Sequence, residues 1–266
     1  MKTYKAPAKV NIFLKITGRR GDYHEIFSRF MLVDNLFDTI SFFPKDEDGF
    51  IIKGNFDCKT EQNTIYKAYE ALLGTIKNPD DLRSLMRSHG IAVGKRIPSF
   101  AGLGGGSSDA ATYLKMCNEV LHLGLTADEL SAIGSKVGAD VAFFIHNYPS
   151  ANVSGIGEIV EPFDEEPLPL EIITPKIKIS TPDVYRRFRE NFYTELDTGE
   201  AARLSRMDSK TILQNYTISE ANDLFEPAVS LYPELKSAYK HGWFFSGSGS
   251  SFFKIKDKEK TNEPSA

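Results

Sequence analysis

Residues 98–111 read Pro-Ser-Phe-Ala-Gly-Leu-Gly-Gly-Gly-Ser-Ser-Asp-Ala-Ala, with four glycines in five positions at Gly102, Gly104, Gly105 and Gly106. Glycine removes the side chain and opens positive φ, at a cost of about 0.5–1 kcal/mol each in regular structure. A tight turn closed by a serine cap would account for one glycine pair but has no need of four. Bare amides delivered to the start of a helix suit an anion, because unpaired N–H groups and the helix dipole both attract it. The stretch formed by Gly102, Leu103, Gly104, Gly105, Gly106, Ser107 and Ser108 is therefore expected to bind phosphate. It is not a dinucleotide fingerprint, since Ser107 stands where the third glycine belongs. Nor is it a Walker loop, because Gly94-Lys95 is followed by Arg96 rather than Ser or Thr. Asp109 sets a carboxylate beside the expected anion. It either complements the positive helix end or needs Mg2+ or a rotation away to relieve the repulsion.

The elements that must carry this loop follow from the hydrophobic pattern. Val10, Ile12, Leu14 and Ile16 alternate with Lys9, Asn11, Phe13 and Lys15, a period of two that predicts a half-buried strand. Lys9 and Asn11 then project together, and alternation alone makes theirs a solvated face. Further strands are expected over residues 30–33, 39–43 and 50–53. Asn63 caps an amphipathic helix reaching residue 76, and a strand over 91–97 leads into the glycine loop and a helix over 108–121. Thr126 and Glu129 form a capping box that opens a helix ending near Gly138. The pattern breaks near residue 150. Beyond it, short strands at 159–161 and 171–174 alternate with a helix begun by Thr181-Pro182 and a long helix over 222–241 stopped by Gly242. These elements predict an α+β fold in two domains, residues 1–149 and 150–258, with a polar frayed tail at 259–266.

Composition narrows the classes. A chain of 266 residues buries a core without a disulfide or metal staple, and 41 % hydrophobic with 26 % charged residues is ordinary for a globular protein. A formal charge of −4 leaves no polybasic footprint, so nucleic acid is not expected as a partner. Cys58 and Cys117 cannot make a four-thiolate zinc site, and His89, His122, His146 and His241 show no ligand spacing. No apolar run approaches the ~20 residues of a membrane helix, and the lysine-rich start lacks a signal core. A cytoplasmic location and no membrane association are the expectation.

Four blocks carry a resemblance: PAKVNIFLKITGRRGDYH at 7–24, the glycine loop at 98–111, GADVAFF at 138–144 and SGSGSSFF at 246–253. In this order and spacing the chain resembles the GHMP kinase superfamily, and within it the branch whose acceptor is a cytidine diphosphate derivative of methylerythritol. It departs from the family pattern at Ala142, where proline is usual, and at Ser99-Phe100-Ala101, where glycine is commoner. The resemblance implies a two-domain GHMP kinase fold with the active site in the inter-domain cleft. It implies phosphoryl transfer from ATP, with Mg2+, to the 2-hydroxyl of that small molecule, a step towards isoprenoid precursors. The chain would act as a monomer or weak homodimer.

By the same resemblance Lys9 and Asp140 form the catalytic pair, although Asp140 reads equally well as a helix cap. Tyr23, His24 and Tyr185 would hold the cytidine, and Asn11 would orient the acceptor or its diphosphate. Asn63 and Lys95 would lie towards the adenine, where a helix cap and a solvated strand end are their rival readings. Gly247-Ser-Gly249 would close over the site, the Asn222-Asp223-Leu224 element would be structural, and the metal ligands stay open. Two other functions remain in view. A superfamily kinase for mevalonate-like or sugar acceptors would leave the aromatic set without a use. A nucleotide-binding module without catalysis would lack Lys9 or Asp140.

Overall fold

The chain begins as one long hairpin, β1 (Tyr4–Arg20) and β2 (Tyr23–Pro44), turning at Gly21, whose φ of +61° favours glycine. The computed structural model describes residues 2–194 and 198–256, so the tail expected at 259–266 lies outside the described residues. After β3 (Ile52–Lys53) comes α1 (Thr64–Leu73), capped by Asn63, whose Oδ1 accepts the Ile65 N–H at 2.9 Å. Next are α2 (Pro79–Ser88), β4 (His89–Gly94), α3 (Gly105–Val120), α4 (Ala127–Gly134) and α5 (Val141–His146). Both halves of the predicted capping box at Thr126 and Glu129 are formed. β5 (Ser150–Gly155) and β6 (Ile159–Pro162) complete a six-stranded sheet of order β3-β4-β2-β5-β6, with β1 on the opposite edge of β2 from β5.

A second sheet of order β7-β9-β8 holds β7 (Leu170–Ile173), β8 (Phe244–Phe245) and β9 (Phe252–Ile255). Between β7 and β8 run α6 (Thr181–Asn191), α7 (Thr198–Arg206), α8 (Ser209–Asn215), α9 (Ile218–Ala221), α10 (Phe225–Leu231) and α11 (Leu235–Ala238). The architecture is α+β. Among the described residues no helix is long and apolar enough to cross a membrane.

Three expectations are corrected. The change of sheet comes after Pro162 rather than near residue 150, because Ile26–Met31 of β2 pair with β5 and draw it into the first sheet. The long helix over 222–241 is instead α10 and α11 with a break at Pro233. The ring bars α conformation at the preceding residue, and Tyr232 sits at φ −128°, ψ 75°. The polar row of β1 is not solvated: Lys9, Asn11 and Phe13 are 3 %, 1 % and 0 % exposed. Helices α1 and α3 pack the first sheet around Phe30, Leu32 and Ile40, while β1 also meets Leu204, Ile212, Phe244 and Phe253 from the later elements. A strand pressed between two layers hides both rows, and a local period cannot report the second layer.

Candidate active site

Gly104, at φ +70°, turns the chain directly into α3, so the helix starts at Gly105 inside the glycine run and not at Ser108. A Cβ on Gly104 would lie 2.8 Å from the Phe144 ring, and one on Gly102 (φ +72°) only 2.0 Å from the Ser246 carbonyl oxygen. Gly105, Gly106 and Ser107 form the first turn, whose amides have no acceptor within the helix. Ser108 is the first to find one, donating to the Gly104 carbonyl at 2.9 Å. Thr64 Oγ1 pins the turn by donating to the Gly106 carbonyl at 2.6 Å. These amides edge a cleft of about 1050 Å³.

β1 brings Lys9 to the same cleft. Its N–H donates to the Leu103 carbonyl at 3.0 Å, joining strand to loop, while the Leu103 side chain is buried in the core. The ammonium donates to Asn11 Oδ1 at 2.6 Å, lies 3.4 Å from Asp140 Oδ2 and sits 4.3 Å from the centre of the Phe30 ring. Asn11 is itself fixed, donating to Ser28 Oγ at 2.9 Å. Asp140 stands just before α5 but makes no capping hydrogen bond; its carboxylate turns to Lys9 instead. Burial pushes the Lys9 ammonium down, against the upward pull of Asp140. A buried amine touching a carboxylate that is 28 % exposed gives one group to stabilise charge and one to accept a proton.

Lys95 is no solvated strand end. Its ammonium donates to Asp38 and to Asp109 Oδ2, the latter at 2.8 Å, and the two carboxylates outweigh burial to hold its pKa above the ordinary value. Asp38, fully buried, also accepts the Arg96 and Ile97 amides. Burial first, and then Asp38, push Asp109 up to about 7 despite Lys95. The charge that complicated the phosphate loop thus has a cation beside it. Asp109 Oδ1 and Ser108 Oγ are buried with no hydrogen-bond partner among the described residues. Ser108 alone of the expected site residues does not line the cleft, because starting α3 at Gly105 rotates position 108 inward.

Tyr23 stands 65 % exposed at the rim, and His24 is half-buried with its ring 5.0 Å from that of Tyr185. At that separation two rings are in contact, so a flat base fits beside this pair and not between its members. Burial, and then the charges of Arg189 and Arg19, lower the His24 pKa. The 246–251 loop roofs the cleft: Ser246 Oγ donates to the Gly102 carbonyl at 2.9 Å and the Ser251 N–H to the Ala101 carbonyl at 3.1 Å. Asn222 holds this loop through the carbonyls of Phe245 and Gly247, each at 2.9 Å, which is the structural part expected of it. Thr181, at the start of α6, meets Ser248 at 2.7 Å.

The cleft therefore gathers Lys9, Asn11, Tyr23, His24, Asn63, Lys95, the loop from Gly102 to Ser107, Asp140 and Tyr185. Asn63 keeps its helix-capping bond while lining it. Sequence reasoning missed Asp38, Thr64, Phe30 and the α6 arginines Arg186 and Arg189. Only Thr64 had a local signal, its place after the Asn63 cap.

Residues 63–148 match the family model described as GHMP kinases N terminal domain. The chain is 60 % identical to a 4-diphosphocytidyl-2-C-methyl-D-erythritol kinase of Sulfurimonas denitrificans, over 97 % of this chain and 98 % of that protein. It is 42 % identical to one from Campylobacter jejuni subsp. doylei, over 94 % and 99 % respectively. A crystal structure of a 4-(cytidine 5'-diphospho)-2C-methyl-D-erythritol kinase superposes with a TM-score of 0.71 at 31 % identity, over 96 % of this chain and 90 % of that one. A mevalonate kinase from Methanococcus jannaschii shares the fold at 15 % identity and a TM-score of 0.59, over 97 % and 92 %.

Proposed function

Since the chain belongs to the 4-diphosphocytidyl-2-C-methyl-D-erythritol kinases, within the GHMP kinases, we propose that its cleft phosphorylates the 2-hydroxyl of 4-diphosphocytidyl-2-C-methyl-D-erythritol. The products are the 2-phosphate and ADP. ATP supplies the γ-phosphoryl group. The observation that carries the site assignment is the 3.4 Å contact of Lys9 with Asp140 beside the amides of Gly105, Gly106 and Ser107.

In this reading Asp140 accepts the proton of the acceptor hydroxyl as its oxygen attacks phosphorus. Phosphoryl transfer asks a protein chiefly for position and charge, and Lys9 supplies the second by facing the attacking oxygen and the charge on the transferred group. Asn11 aims Lys9 through their 2.6 Å bond. The first turn of α3 holds the phosphates, and Thr64 keeps that turn in place. Asn63 and Lys95 lie towards the adenine, with Lys95 also offsetting the charge of Asp109. Tyr23, His24 and Tyr185 take the cytosine, and the 246–251 loop limits water.

The donor set suits a magnesium ion carried on the nucleotide. No three of His, Cys, Asp and Glu come together as a metal site among the described residues. Mg2+ keeps most of its shell from phosphate and water, so an ion carried on the nucleotide would need few protein ligands, and Ser107, which lines the cleft, would be the residue to meet it. Bound there, the ion would neutralise phosphate charge.

Release of ADP in a coupled assay with the cytidyl substrate tests the reading. A wild-type chain with no turnover sinks it. Protection from heat by CDP, and none by mevalonate, separates it from a kinase for base-free acceptors; the reverse pattern would favour that kinase.

A further inference from the structure

Between residues 100 and 104 the backbone turns left-handed at every second position: Phe100 at φ +55°, Gly102 at +72° and Gly104 at +70°. Glycine takes that region freely, but the Cβ of a bulky residue crowds the carbonyl that follows it. Anchors on both sides impose the turn on Phe100. Ile97 is buried against Gly105, where an added Cβ would lie 2.9 Å from Ile97 Cγ2, and the Ala101 carbonyl accepts the Ser251 N–H at 3.1 Å. Strain of this kind persists only where the surroundings fix it, and it gathers at ligand sites.

Burial gives the Phe100 ring no reason to be there. It is 56 % exposed, packs into none of the three apolar cores and touches no other ring among the described residues, yet it lines the cleft. The other cleft rings have tasks: Phe30 lies against the Lys9 ammonium, Phe56 packs on the first core, and Tyr23, His24 and Tyr185 make up the cytosine end. The first turn of α3 sets the direction. A Cβ on Gly104 would be 3.2 Å from Lys9 Cγ, one on Gly105 3.6 Å from the Lys95 ammonium, and one on Gly106 3.3 Å from Thr64 Oγ1. A γ-phosphoryl group at Lys9 therefore sends the rest of the nucleotide across that turn, and its adenosine leaves on the side of Lys95, Ile97 and Thr64. Phe100 stands three residues past Ile97, no more than about 10 Å along the chain.

We propose that Phe100 is a nucleotide-binding residue whose ring stacks on the adenine of ATP. The assignment rests on ATP as the donor named under the proposed function. A purine offers a flat apolar face, and a ring held out from the wall by a fixed backbone meets it with little left to order on binding. The contact is indifferent to the edge of the base, so it adds affinity for any purine nucleoside triphosphate and selects none. Cytosine is the poorer partner, because the rings that serve it sit on the β1–β2 hairpin and α6, close to Asp140.

Equilibrium binding of ATP, GTP, inorganic triphosphate and CDP to wild type, Phe100→Gly, Phe100→Leu and Phe100→Tyr tests this. Phe100→Gly should weaken ATP and GTP by the same factor, about tenfold, and leave triphosphate and CDP within about twofold. It should also melt no lower than wild type, since glycine relieves the left-handed turn, whereas loss of a structural ring would lower the melting temperature and overturn the assignment. Phe100→Tyr should bind ATP within about twofold of wild type. Phe100→Leu, apolar but without a face to stack, should recover less than half of the loss on a logarithmic scale. Steady-state kinetics should place the loss in the KM for ATP, with kcat at saturation within about twofold. An unchanged ATP affinity in Phe100→Gly would leave the ring idle, and an equal loss of triphosphate would make it a prop of the glycine loop. A loss of CDP alone would move it to the cytosine end. Each of these three results overturns the assignment. A wild-type chain that binds no ATP would overturn the donor itself, an outcome distinct from all of them.

Discussion

The two ends of the cleft are built differently. At the transfer end Lys9 is 3 % exposed, fixed by Asn11 and Asp140, and Asn11 is fixed in turn by Ser28. The glycine loop there is held by Thr64 from one side and Ser246 from the other. At the base end Tyr23 is 65 % exposed, Arg189 has no partner among the described residues, and His24 and Tyr185 lean on each other. The contrast matches what each end must do. Charge stabilisation gains most from dipoles that need not reorganise at the moment of reaction. Recognition can order its side chains when the ligand arrives, at a cost in affinity. Substitutions at the transfer end should strike kcat or folding, according to whether they touch the chemistry or the packing, and those at the base end should strike substrate KM.

The largest effect belongs to Asp140→Asn. It keeps shape and removes the proton acceptor, so kcat should fall about 10³-fold with substrate KM within threefold. The melting temperature should stay within a few degrees, because the carboxylate is 28 % exposed and caps no helix. Steady-state kinetics and calorimetry on the same preparation check both halves. A variant with wild-type kcat would show that the rigid end is not the chemical end.

Gly102→Ala comes next. The new methyl meets the Ser246 carbonyl oxygen at 2.0 Å, and alanine must also hold φ +72°. Together these should cost about 3 kcal/mol and raise the KM for ATP, since the loop can yield only by leaving Ser246. Unfolding in urea measures the first and kinetics the second. If the variant is as stable as wild type, the interlock between the glycine loop and the 246–251 loop is slack.

Those two substitutions also mark where sequence reading succeeds, at Gly102, and where it fails, at Asp140. The glycine loop was legible because its requirement is local: positive φ and close approach demand glycine whatever else the chain does. The Thr126 and Asn63 caps were legible for the same reason, each satisfied within three residues. The meeting of Lys9 with Asp140 was not readable from pattern. Alternation put Lys9 in solvent and position put Asp140 on a helix start, and only the resemblance of whole blocks joined them. Asp38 gave no signal at all, since its partners Lys95, Arg96 and Ile97 come from a distant strand end. The failed helix over 222–241 has a different cause: the predicted span runs across Pro233, which keeps Tyr232 out of helical backbone and ends α10 there.

At the base end Tyr185→Ala should raise the KM for the cytidyl substrate about tenfold and leave kcat within twofold, the signature of lost ground-state binding. Tyr185→Phe should behave as wild type, because stacking needs the ring alone. A fall in kcat with Tyr185→Ala would mean that the proximity of its hydroxyl to Asp140 extends the rigid end along α6 and weakens the contrast.

The smallest effect is electrostatic and concerns His24. Its ordinary value is 6.5, and burial, Arg189 and Arg19 lower it in the folded chain. Below 6.5 the unfolded chain takes up the proton first, so the folded state loses a little stability as pH falls from 6.5 to the folded value. Above 6.5 neither state is protonated and the contribution vanishes. The half-buried ring and the screened arginines keep the effect small. Arg189→Gln removes one of the two like charges, so the His24 midpoint should rise towards 6.5 without reaching it, because burial is untouched. Ring proton shifts in an NMR titration, assigned by their loss in His24→Gln, follow that midpoint directly. A midpoint already at or above 6.5 in the wild type would mean that the arginines do not face the ring. The base end would then be looser than the side-chain positions described for it.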